Sequence, residues 1–129
     1  MPSLIGAKRM IERRPLLARV ACLALGLGVT YAFFIQYCDL LFDCGCRALW
    51  AGQAAHCNIH NPAPPHCPWC LDGGIRGQWT HAGIVVAQAA LALWPGRFGR
   101  VRAASVFLAF PVVGGLGALI AAVATGYWL

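Results

Sequence analysis

Cysteine and histidine are the side chains best suited to holding soft metals or exchanging disulfides, and in this chain they are confined to one place. Six of the seven cysteines and all four histidines lie between Cys38 and His81. The pattern is Cys38, Cys44-Gly45-Cys46, His56-Cys57-Asn58-Ile59-His60, His66-Cys67-Pro68-Trp69-Cys70 and His81. Cys57-x2-His60 and Cys67-x2-Cys70 are two chelating pairs at short separation, the spacing of a closed tetrahedral site for zinc. A bound ion can also replace the core that so small a loop is unable to build. Cys57, His60, Cys67 and Cys70 are therefore the first-choice ligands. Cys38, Cys44, Cys46, His56, His66 and His81 form a second tier, for a second site or for transient landing of a transported ion. Zn2+ is the expected ion. Copper ranks below it: thiolates suit Cu(I), but the only methionines, Met1 and Met10, lie far from the cluster in sequence.

Three other chemistries compete for the same residues. Cys67-Pro68-Trp69-Cys70 resembles the Cys-Pro-x-Cys active-site motif of glutaredoxin and thioredoxin-like oxidoreductases. The resemblance covers four residues and implies disulfide exchange through Cys67 and Cys70, with His66 positioned to favour the Cys67 thiolate. A disulfide-stapled structural loop is the bland alternative, since six cysteines pair without remainder, although staples have no use for four histidines. Covalent haem attachment is excluded because Leu71 follows Cys70, and a Rieske-type centre lacks its Cys-x-His elements. With no evident general base or substrate pocket, a metal-handling protein or accessory subunit is expected rather than an enzyme.

The elements that must position these residues are apolar. Hydrophobic residues make up 60% of the 129 residues and mean hydropathy is +0.66, too high for a soluble protein of this size. The formal charge of +6 is not a nucleic-acid signature. Eight of the ten basic residues sit in two segments, Lys8 to Arg19 and Arg97 to Arg102, each beside an apolar run and, with Phe98 the one aromatic residue among them, without a stacking platform. The Cys-rich stretch instead carries two arginines against three aspartates.

The expected fold is an all-α membrane protein with three transmembrane helices over residues 16–37, 79–94 and 103–128. A basic N-terminal segment (1–15) and a basic turn (95–102) are placed in the cytoplasm, and the irregular Cys/His loop (38–78) outside it, giving N-in and C-out topology. The first helix is read as an uncleaved anchor, because no small-x-small cleavage site follows it. A multi-pass protein of a bacterial inner (plasma) membrane is the matching location, and the lipid bilayer is its first partner. Gly114, Ala118 and Ala122 recur every four residues, a small-residue face for packing inside the bundle or against a second membrane protein. Pro111 is expected to kink the third helix.

Overall fold

The computed structural model describes residues 4–96 and 99–129, and all regular structure among them is helical. Helix α1 spans Leu4–Phe42, α2 Ile75–Leu93 and α3 Gly99–Thr125, while three short 3-10 turns shape the segment between α1 and α2. Arg97, expected in the turn between α2 and α3, lies outside the described residues. Two helical stretches, Pro15–Phe42 and Gly99–Thr125, are long and apolar enough to cross a membrane. At about 1.5 Å per residue each exceeds a hydrocarbon layer of roughly 30 Å.

Helix α1 is longer than expected at both ends and passes through Pro15. Its extension to Phe42 matters most, because it makes Cys38 a helical residue with Phe34 and Phe42 one turn away on the same face. Helix α2 begins four residues before Trp79 and carries Arg76, Gln78, His81 and Gln88.

All three helices meet at Gln88, which is fully buried. Its amide nitrogen donates to the carbonyls of Gly26 on α1 and Val106 on α3, and its oxygen accepts from the Thr30 hydroxyl. Such a polar group is tolerated in an apolar bundle because its partners are all present. Gly26 has no room for a side chain: a Cβ there would stand 2.5 Å from Val106 Cγ1.

The small-residue face of α3 is used inside the chain, with Gly114, Ala118 and Ala122 all buried. Gly114 lets the Tyr37 ring approach, and Tyr37 Oη donates to the Pro111 carbonyl at 2.8 Å. Helix α3 continues through Pro111. Ala118, Ala121 and Ala122 form the floor beneath the cysteines.

Candidate metal centre

The chamber is built from three chain segments. Helix α1 delivers Cys38, and the chain then turns sharply through Asp43 (φ 47°) and Gly45 (φ 84°) to present Cys44 and Cys46. The Asp39 side chain caps this turn by accepting from the Gly45 N–H at 2.7 Å, so its role is to shape the loop. A Cβ on Gly45 would stand 2.6 Å from the His56 carbonyl oxygen, so this position requires glycine both for its left-handed backbone and for its space.

The second and third segments carry Cys57 and the Cys67–Cys70 pair, and Asn58 ties them together. Its N–H donates to the Cys44 carbonyl, and its side-chain oxygen accepts from the Cys67 N–H at 2.6 Å. Its amide nitrogen donates to Tyr127 Oη, which in turn donates to the carbonyl of Phe42 at the end of α1. One asparagine thus links both halves of the loop to α1 and to the chain beyond α3. Spacing alone suggests only a turn residue at Asn58, and its position beside Cys57 was the available signal.

The aromatic wall is the second unexpected feature. Trp69 reads in the sequence as a ring for the bilayer surface, but it is 2% exposed, stacked on Phe34 at 4.9 Å and edge-on to Phe42 at 5.4 Å. Trp50, read the same way, is well exposed. The rings around Trp69 screen the sulfurs from water on the α1 side.

Six sulfurs converge inside this shell. All are unbonded thiols, five of them buried and Cys70 half-buried. Cys38 Sγ lies 3.7 Å from Cys44 Sγ and 3.4 Å from Cys67 Sγ. Four triads, each with its sulfurs within 4.8 Å of one another, cover the set: Cys38/Cys44/Cys67, Cys38/Cys46/Cys70, Cys44/Cys46/Cys57 and Cys57/Cys67/Cys70. Among the described residues these groups are threes, with no four sulfurs mutually that close.

Three of the first-choice residues, Cys57, Cys67 and Cys70, therefore share one triad, and second-tier Cys38, Cys44 and Cys46 complete the cluster. The histidines are placed differently. His60 Nε2 lies 3.1 Å from the Ala54 carbonyl and His66 Nε2 3.0 Å from that of Asn61, contacts each ring makes as a donor. His56 is exposed, and His81 stands edge-on to Phe34 at 5.0 Å. No histidine belongs to a triad. Cys22 lies within α1 and outside the groups.

Packing thiols this closely divides their acidities. Contact with Cys38 above all draws Cys44 down to about 7, and it lowers Cys67 and Cys70 as well. Burial chiefly pushes Cys57 up to about 12. Cys46 is also raised: contact with Cys38 favours its thiolate, but Cys44, Cys70 and burial outweigh that. Some sulfurs are thus poised as thiolates while their neighbours hold the protons, a state that a cation can take over by displacing those protons.

The triad of Cys38, Cys46 and Cys70 borders a cavity of about 340 Å³, with Trp69 and His81 also on its wall. This gives the sulfurs a route to the outside. Comparison of the chain with protein families, with curated proteins and with solved structures finds no match.

Proposed function

We propose that this chain is a small integral membrane protein that holds soft transition metal in a chamber of cysteine thiolates, as a metal-handling protein or as the metal-bearing accessory subunit of a membrane complex. The observation that carries this reading is the convergence of six unbonded sulfurs in triads no wider than 4.8 Å. Thiolates repel one another, so all six can ionise together behind an aromatic wall only when cations neutralise them. Soft d10 ions, zinc and monovalent copper, are the natural guests of an all-sulfur shell. An iron–sulfur cluster takes four cysteines around an inorganic core, whereas six converge here.

The disulfide-exchange alternative fits less well. A redox-active Cys-x-x-Cys pair must offer a thiolate to a substrate disulfide, whereas Cys67 is fully buried beneath its neighbours. Membrane placement follows from charge. The start of α1 and the first turn of α3, with Arg100 and Arg102, lie at the end of the bundle opposite the cysteines, which by the positive-inside rule supports an extracytoplasmic chamber. Leu25, Val86, Ile120 and Val123 are each more than 60% exposed, the outward surface that lipid would cover. The cavity beside Cys38, Cys46 and Cys70 then serves as the port for loading and release.

The test is metal analysis of the full chain purified in detergent without chelators, combined with thiol counting after denaturation. A soft metal together with seven titratable thiols is expected. Absence of metal with thiols lost in pairs overturns the reading in favour of disulfide chemistry or staples.

A further inference from the structure

The four triads have a regular relation to one another. Each of the six cysteines belongs to two triads, and any two triads share one cysteine. Three pairs never meet in a triad: Cys38 with Cys57, Cys44 with Cys70 and Cys46 with Cys67. That incidence is the one between the edges and corners of a tetrahedron. The twelve close pairs within these triads also close four further ones, Cys38/Cys44/Cys46, Cys38/Cys67/Cys70, Cys44/Cys57/Cys67 and Cys46/Cys57/Cys70, so the sulfurs form an octahedron with those three pairs as opposite vertices and its eight faces fall into two alternating sets of four.

We propose that the chamber is a site for four Cu(I) ions, one over each face of an alternating set of four, with every cysteine sulfur bridging two of them. This rests on the soft-metal reading above and specifies the ion, its number and its coordination. Bond counting closes on both sides: four three-coordinate ions need twelve metal–sulfur bonds, and six bridging thiolates supply twelve.

Geometry selects copper over zinc. With a metal–thiolate bond of about 2.3 Å, sulfurs around a trigonal ion stand about 4 Å apart, compatible with triads inside 4.8 Å. Tetrahedral zinc requires four mutually close ligands, and the sulfurs offer threes while His60 is turned to the Ala54 carbonyl. Four zinc ions on these six sulfurs would each lack a fourth ligand. Four monovalent ions reduce the charge of six thiolates to a net of −2. Loading involves no change of oxidation state: copper enters as Cu(I) and displaces the protons still held by the thiols.

The fully reduced, detergent-solubilised chain is titrated anaerobically with Cu(I) supplied as its acetonitrile complex and followed by native mass spectrometry, with zinc in a parallel titration. The expected result is a cooperative passage from the copper-free to the four-copper form, with one- to three-copper forms staying minor. Saturation at a single ion of either metal overturns the four-ion core while leaving thiolate metal binding intact. Failure of the reduced chain to take up either metal overturns both.

Paired variants read the connectivity itself. Cys38→Ser with Cys57→Ser interrupts every triad, whereas Cys38→Ser with Cys44→Ser leaves Cys57 and Cys70 whole with either Cys46 or Cys67. The first pair should abolish high-affinity uptake and the second should retain one copper. Should the Cys38 variants fail to fold, Cys46→Ser with Cys67→Ser and Cys46→Ser with Cys70→Ser make the same contrast, the latter sparing Cys38, Cys44 and Cys67. Equal copper retention by the two members of a contrast contradicts the assigned arrangement.

Discussion

The bundle contains two buried polar clusters, one at Gln88 and one at the cysteines, and they differ in whether they are complete. Around Gln88 each hydrogen-bonding group has found a partner from another helix, so the cluster closes on itself. In the cysteine chamber the sulfurs face one another, and their protons are too few to satisfy them and too many to leave all of them ionised. A satisfied buried amide fixes how helices pack. Convergent donors that cannot satisfy each other could hold a guest ion.

Metal removal gives the largest break in this symmetry. A ligand present at about a thousand times its dissociation constant stabilises the folded state by roughly 4 kcal/mol. Loaded protein should therefore melt well above stripped protein. Amide exchange between residues 44 and 70 should accelerate on stripping, while that around Gly26, Gln88 and Val106 stays slow. Equal acceleration at both places would mean that the chamber is no separate metal-dependent unit.

Gln88→Leu makes the complementary break. It leaves the Thr30 hydroxyl without its long-range partner and removes both amide contacts, a cost of about 1–3 kcal/mol for orphaned buried groups. Denaturant unfolding in detergent should register that loss at unchanged metal content. A variant of normal stability would show that the Gln88 cluster does not hold the bundle together.

Proton accounting sharpens the picture of the chamber. At pH 8 Cys44, drawn to about 7, is already largely a thiolate, and Cys67 and Cys70 are shifted the same way. Cys57, pushed to about 12, still holds its proton, as does Cys46. Loading at pH 8 should thus release protons, but fewer than one per cysteine, and the number should rise as the pH is lowered through 7. Metal affinity should fall over the same range, because protons compete for the lowered thiolates. A pH-independent proton count in a weakly buffered titration would contradict this.

His60→Ala is the smallest change. Its ring contacts a backbone carbonyl at the surface, so metal capacity should be unaltered and the melting temperature should move no more than for ordinary surface substitutions. Loss of bound metal would restore histidine to the ligand set.

Much of this contrast is legible in the sequence, and the illegible part has a physical cause. Confinement of the cysteines needs only residue types, and the spacing of Cys57, Cys67 and Cys70 shows that they can meet locally. Cys38 is harder to find. Its membership depends on α1 continuing to Phe42 and on the left-handed turn at Gly45 folding the chain back, although Phe34, Cys38 and Phe42 at intervals of four were a usable sign of one face. The histidines mislead because spacing shows which rings are near sulfur but not which carbonyls will compete for them. Gln88 gives no pattern and Asn58 only its place beside Cys57, since each draws part of its role from a partner more than fifty residues away in sequence.

X-ray absorption at the metal edge of protein purified from its native membrane tests the central claim most directly, since it reads the atoms bound to the ion. A first shell of sulfur alone, at about 2.3 Å, is the predicted result. A shell dominated by nitrogen or oxygen would contradict a chamber closed by cysteine thiolates.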